Sequence, residues 1–405
     1  MSLLIRNIGL LATAVGNDAC AGARQGAIRT MKNAWLLIEG ERIAALGEGA
    51  PPDAQQTLDA CGRLATAGLV DAHTHLIFGG WRQNELALKL HGVPYLDILA
   101  QGGGILSTVS ASRAASQEAL AEKAERALRE MLRFGTTTCE AKSGYGLSLE
   151  EEQKELRAIR DLKERQPVEL AATFLGAHAV PKGADRAAYV RTLCEEMIPA
   201  VAREGLAEFC DVFCETGVFS AEESRTILEA GKRHGLIPKI HADEIDSIGG
   251  SQLAGDLGAM SAEHLIVCPD EGIERMARGG TVACLLPCTS FYLGAAYAPV
   301  AKMIEAGVPV AMATDFNPGS CPCLNMQLVM NLGCLKYRLT PEQVLTAVTL
   351  NGAAAIGRAA RIGSLEVGKQ ADLLLWEAPD LNYICYRMGS NLVSTVIKRG
   401  TVLEV

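Results

Sequence analysis

Positive charge is scarce in this chain. Lys and Arg number 38 against 47 Asp and Glu, a net charge of −9, and no basic run stands out. That balance argues against nucleic acid or an anionic membrane surface as a partner. Long apolar runs are missing too: none approaches the roughly 18 residues of a membrane helix. Met1-Ser-Leu-Leu-Ile-Arg6 lacks the charged n-region and long h-region of a secretory signal. No Gly-x-Gly-x-x-Gly follows a strand, so nothing supports a dinucleotide site. Aromatic residues make up only 5% and histidines only seven, so wherever several histidines gather, the gathering needs an explanation.

Cysteine is not scarce, but a cysteine framework is. Thirteen are scattered along 405 residues. An odd number in a large chain without a signal peptide reads as reduced thiols in a cytosolic protein, mostly core filler. Cys321-Pro-Cys323 has no matching second pair at zinc-ribbon spacing.

What is present points to a large packed core: 49% hydrophobic against 21% charged residues, well outside the range of disordered chains. The two ends look β-rich. Leu3–Arg6, Ala34–Ile38 and Arg42–Ala45 are strand-like, with Glu39-Gly40 as a hairpin turn. Gly363–Trp376 alternates turns and strands, and Val393–Leu403 reads as a hairpin. Neither end is long enough for a core alone. Residues 1–63 and 359–405 are therefore expected to pair into one small β-sandwich. Between them, over 64–358, strand and helix alternate. The strand candidates are Leu69–His75, Thr136–Ala141, Ala171–Ala177, Glu208–Cys214, Pro238–Ala242, Ser261–Ile266, Thr281–Leu286 and Pro309–Thr314. Helices are expected at Ser116–Phe134, Leu149–Glu164, Asp185–Arg203, Ala221–His234 and Glu271–Ala277, with Ser220 and Gly235 as the stops of the fourth. Eight βα units predict an α/β chain folded as a (β/α)8 TIM-like barrel, with a doubly wound open sheet as the alternative.

The barrel reading can be tested within the sequence, because active sites of this fold sit at the C-terminal strand ends. Polar residues do collect there. Strand one runs into His73-Thr-His75, strand two into Glu140–Tyr145, strand three into His178, strand five into His241-Ala-Asp-Glu244, strand six into Glu263-His264 and strand eight into Thr314-Asp315-Phe-Asn317. Only His91 and His234 lie elsewhere. His73 and His75 are two apart, so period-two geometry aims both rings the same way. With His241 and Asp315 they make a three-His, one-carboxylate set that suits one zinc or iron ion, with a position left for water. Such an ion lowers the pKa of water toward about 7. Asp315 is placed to take the proton, and His264 to act as a further base or shuttle.

These motifs resemble the amidohydrolase superfamily: His-x-His ending strand one, a histidine on each of strands five and six, an Asp on strand eight. The flanking Ala67–His75 and Gly363–Leu373 match it as well. Several longer stretches are similar to the branch that opens the imidazolone ring in histidine degradation. They are His75–Glu85, Gln101–Ile105, Lys142–Gly146, Phe174–His178, His241–Glu244 and Ala313–Ser320, and the likeness spans nearly the whole chain. The resemblance implies hydrolysis of 4-imidazolone-5-propanoate to N-formimidoyl-L-glutamate, one divalent or trivalent metal ion, zinc or iron, per subunit, and a homodimer.

The residues make sense of that substrate, a flat polar ring with a carboxylate arm. Arg82, on the loop above strand one, can bind the carboxylate in a bidentate contact, and Tyr145 can donate to the same group. His178 can add a hydrogen bond. Glu244 can accept from a ring N–H or hand a proton to the leaving nitrogen. Asn317, Gly319 and Ser320 offer amide and backbone donors. The glycine run Gly102–Gly104 reads as a loop over the mouth. Rival readings are a cyclic-base deaminase, for which Arg82 and Tyr145 would have no carboxylate to hold, and a binuclear cyclic-amide hydrolase, whose bridging lysine is missing from Glu208–Cys214. A third is a non-catalytic scaffold, which should have lost its ligands.

Overall fold

The computed structural model describes residues 2–93 and 103–404. Its centre is a ring of eight parallel strands in sequence order: Leu69–Asp71, Thr136–Lys142, Glu169–Ala177, Phe209–Cys214, Ile237–Ala242, Ser261–His264, Val282–Leu285 and Val310–Met312. We number these barrel strands one to eight. They are short and buried nearly throughout, as expected where helices cover the outside.

Strand one is shorter than its sequence suggests and ends at Asp71. The chain leaves it to close the ring. Thr74 forms an isolated bridge with Phe316, His75 N–H donates to Phe316 O (2.9 Å) and Asp315 N–H to His73 O (3.0 Å). Below, Asp71 accepts from Thr314 N–H (3.0 Å) and its hydroxyl (2.6 Å). The seam between strands one and eight is thus stitched by the residues around the candidate ligands.

The helices follow their caps. Ala221–Arg233 starts in a reciprocal box, Ser220 accepting from Glu223 N–H while Glu223 accepts from Ser220 N–H, and Gly235 follows it at φ 82°. The single helix expected over Asp185–Arg203 is instead three pieces: Arg186–Thr192, a π turn at Leu193–Met197, and Ile198–Arg203. Pro199 has no N–H to continue the ladder, and the chain widens one turn before it.

The two chain ends share one mixed sheet. Its order is Thr401–Leu403, Val393–Lys398, Leu373–Trp376, Leu64–Ala67, Ser2–Thr13, Arg29–Glu39 and Arg42–Glu48, with Gln56–Asp59 also pairing Ser2–Thr13. The turn between Arg29–Glu39 and Arg42–Glu48 is Gly40-Glu41, with Gly40 at φ 59°. Before Leu373 the expected strand of the C-terminal segment reduces to one bridge, Gln370 to Arg42. Period two sorts this sheet's faces: Leu373 and Leu375 join Ile5, Ile8 and Leu36 in its own core, whereas Leu374 and Trp376 join the barrel's. Trp376 is fully buried and its indole N–H donates to Thr66 Oγ1 (2.8 Å). The expected cover formed by the glycine run falls partly on residues 101 and 102, which lie outside the described residues. Among the described residues, no helix is long and apolar enough to cross a membrane.

Candidate metal and substrate site

At the C-terminal rim of the barrel the histidines converge. His75 Nε2 lies 3.3 Å from His241 Nε2 and 3.5 Å from Asp315 Oδ1, and His73 Nε2 lies 3.5 Å from the same oxygen. All four residues are buried. Two imidazole nitrogens facing each other are poor hydrogen-bond partners, but donors about 2.0–2.1 Å from one tetrahedral ion stand at about this spacing. Among the described residues, both nitrogens of His73 and Oδ1 of Asp315 are buried without a partner. Orphaned buried polar atoms are costly, and a cation in their midst satisfies them. The donor set therefore fits one divalent ion. His264 lies near enough to His73 and Asp315 to complete a second trio of donors.

Burial shapes the protonation of this cluster. It lowers the imidazoles of His73 and His75 well below the ordinary range, brings His241 down to about 3, and raises Asp315 to about 7. The imidazoles are held neutral, as ligands must be. Backbone strain marks the same spots: Asp243 (φ 52°), His264 (70°) and Asp315 (58°) adopt the left-handed region that non-glycine residues rarely enter. The turn at His264 is why neighbours Glu263 and His264 both face inward. Asp315 is further held by Thr289, whose hydroxyl donates to Oδ2 at 2.6 Å.

A cavity of about 330 Å³ opens above the cluster, lined by His75, His241, His264 and Asp315 together with Arg82, Tyr145, His178 and Glu244. Ile105, Phe213 and Leu293 supply apolar wall. His178 stacks on His75, centroids 4.9 Å apart and planes 15° from parallel, and its Nδ1 meets Gly144 O at 3.1 Å. Glu244 Oε2 stands 3.6 Å from His264 Nε2, and burial, with Glu215 nearby, raises Glu244 to about 7. Glu215 also accepts from Ile245 N–H (2.9 Å) and Asp246 N–H (3.1 Å), fixing the turn after Glu244.

Asn317, Gly319 and Ser320 line the cavity too, and they are joined by hydrogen bonds within the loop. Asn317 Nδ2 donates to Asp315 O (2.7 Å) and Ser320 Oγ (2.8 Å), and its Oδ1 accepts from Gly319 N–H (2.8 Å) and Ser320 N–H (2.7 Å). Asn317 builds the turn that carries Asp315 while lining the cavity.

Sequence reasoning missed a layer of charge one pleat below. Lys142 Nζ lies 2.7 Å from Asp211 and 3.0 Å from Glu140, and Lys239 Nζ lies 2.9 Å from Glu140 and 3.4 Å from Glu263. None of the five is exposed. Asp211 in turn meets His241 Nδ1 at 3.1 Å. Burial opposes its ionisation, but His241 and Lys142 outweigh that and hold the carboxyl well below the usual range. A carboxylate on the far nitrogen fixes a ligand imidazole's tautomer and aim. The signal was available: Lys239 is two residues before His241, so it shares the inward face.

Comparison with known proteins now adds to this geometry. Residues 64–403 match the amidohydrolase family. An imidazolonepropionase of Alkaliphilus metalliredigens (strain QYMF) is 49% identical, covering 100% of this chain and 98% of the relative. One of Geobacillus sp. (strain WCH70) is 47% identical, covering 99% and 97%. Among solved structures, E. coli guanine deaminase superposes with a TM-score of 0.76 at 16% identity, covering 100% of this chain and 99% of that one. An atrazine chlorohydrolase from Arthrobacter aurescens TC1 complexed with zinc gives 0.74 at 19%, covering 99% and 95%. At such low identity the structural likenesses establish the fold alone. The chain belongs to the amidohydrolase family and, within it, to the imidazolonepropionases.

Proposed function

We propose that this chain hydrolyses 4-imidazolone-5-propanoate to N-formimidoyl-L-glutamate, the ring-opening step of histidine degradation, in the cytosol and as a homodimer. The observation that carries the reading is one cavity lined both by a cluster of metal donors and by the half-buried guanidinium of Arg82. A neutral cyclic base, the substrate of a deaminase, has nothing for that cation to hold.

His73, His75, His241 and Asp315 would hold one divalent ion, zinc or iron; three imidazoles and a carboxylate accept both. When bound, such an ion acidifies water and polarises the ring carbonyl. Arg82 holds the propanoate arm and Tyr145 donates to it, which fixes the ring over the donor cluster. Asp315 takes a proton from the attacking water, and His264 shares that task and stabilises charge developing on the carbonyl oxygen. Glu244, raised by burial to about 7, carries a proton near neutral pH and hands it to the leaving ring nitrogen. His178 stacks on His75 and steadies both ligand and substrate. Phe213, Ile105 and Leu293 thin the water around these steps.

The test is to follow the ultraviolet loss of freshly made imidazolone propanoate. Rapid loss with protein, abolished by a chelator and restored by zinc or ferrous ion, is expected. Loss no faster than the spontaneous rate, with the ion bound, overturns the reading.

A further inference from the structure

Glu85 is a buried carboxylate that the chemistry above leaves unused. It ends the short turn Gln83–Glu85 and is 2% exposed. Its oxygens grip Arg82 side-on: Oε1 accepts from Nε and Oε2 from Nη2, both at 2.9 Å. Oε1 also accepts from Gly104 N–H at 2.7 Å. Gly104 sits at φ 67° and caps the helix Ile105–Ala114, whose first residue lines the cavity. On the opposite side the guanidinium lies against Gly319, where an added Cβ would come within 2.1 Å of Arg82 Nη1.

We propose that Glu85 is the positioning residue for the substrate's carboxylate arm, with Gly319 as its counterpart across the guanidinium. The inference rests on the reading of Arg82 as the arm's partner. A guanidinium can meet a carboxylate side-on, through Nε and one Nη, or end-on, through both Nη groups. Glu85 takes the side-on edge, which fixes the plane of the guanidinium and turns Nη1 toward Gly319 and the strand-eight loop. Gly319 lets the flat group lie against the strand-eight loop. The helix start is tied to the same carboxylate, so the aim of Arg82 and the wall formed by Ile105 are set together. The Arg82–Glu85 pair is neutral overall. Recognition of the arm therefore depends on where the donors point rather than on a bare positive charge, which suits a single carboxylate on a short arm.

Two explanations of Glu85 predict opposite signs. If it only offsets charge, Glu85→Gln leaves Arg82 more cationic and an anion binds more tightly. If it aims Arg82, the anion binds more weakly. The experiment measures binding of 3-(imidazol-4-yl)propanoate and of its neutral propanamide to the metal-loaded protein by titration calorimetry, alongside kcat and KM. The parent should prefer the acid. Glu85→Gln should weaken acid binding about tenfold or more, the range of a lost charge-assisted contact, while leaving the amide within about twofold. KM should rise far more than kcat falls. Should Glu85→Gln fail to fold, Gly319→Ala probes the same geometry from the other side and should weaken the acid selectively. Acid binding by either variant that equals or exceeds the parent's overturns the role of Glu85. A parent that does not prefer acid over amide overturns the arm reading itself, and this inference with it.

Discussion

Two polar layers lie one pleat apart inside the same barrel, and they are built on opposite rules. In the lower one, Glu140, Lys142, Asp211, Lys239 and Glu263 carry opposite charges within 2.7–3.4 Å of one another. In the upper one, among the described residues, His73, His75 and Asp315 leave buried atoms without a hydrogen bond, as Glu140 Oε2 and Glu263 Oε2 do below. The upper atoms, however, crowd round one another, His73 and His75 each 3.5 Å from Asp315 Oδ1, with no lysine ion pair among them. Both are equally shielded from water, so burial alone does not tell structure from function. Pairing does. In the lower layer the carboxylates are met by lysines and hold the fold, whereas in the upper one several buried donor atoms that lack a hydrogen bond face a common point, where a cation would satisfy them together.

The largest effect should come from the upper layer. His73→Ala should abolish metal retention and turnover together, measured by elemental analysis and by substrate loss. The deleted ring makes no hydrogen bond but packs edge-on against His75, His241 and His264, so the metal-free variant should lose less stability against the metal-free parent than the roughly 3–5 kcal/mol of a broken buried ion pair. The lower layer should respond the other way. Lys142→Met takes the lysine from Asp211 while Glu140 keeps Lys239, and stability should fall by roughly 3–5 kcal/mol, read from the denaturant midpoint with and without metal. Asp211 spans the two layers. Asp211→Asn should keep the fold yet loosen the metal about 10- to 100-fold, read by chelator competition; unchanged affinity would dissolve the connection between them.

The smallest effect concerns Glu244 and depends on pH. Its folded pKa of about 7 lies above the ordinary 4.5, so the folded protein keeps a proton that the unfolded chain releases. Below pH 4.5 both states are protonated and nothing is lost. Between 4.5 and 7 folding is progressively penalised, and above 7 the penalty is complete. Glu244→Gln should therefore stabilise the protein at pH 8 by on the order of 1–2 kcal/mol, and not at pH 4, while losing turnover. Equal midpoints at both pH values would show that burial costs this carboxyl little.

Much of this was legible in the chain. His-x-His at a strand end, His241 and Asp315 are chemically loud, and alternation of strand and helix placed them on one rim. The lower layer was quieter because lysines and glutamates are read as surface residues by default. Glu140 and Glu263 stand out only as polar residues at strand ends, and the inward phase of Lys239, inherited from His241, marks the layer further. The loop-building bonds of Asn317 were hidden for another reason: its side chain is turned back on its own backbone, which composition does not reveal. Where strand one ends was also invisible, since nothing in Ala72–His75 breaks a strand and the chain leaves it only to close against Phe316.

The strand Leu64–Ala67 has one further consequence, for synthesis. It lies between Ser2–Thr13 and Leu373–Trp376, so one of its neighbours is translated some three hundred residues after it. Until then that edge is an open template for wrong pairing. A nascent chain of this protein is a strong candidate for chaperone protection while the barrel is being made, and early termination before Leu373 should yield aggregate rather than a smaller enzyme.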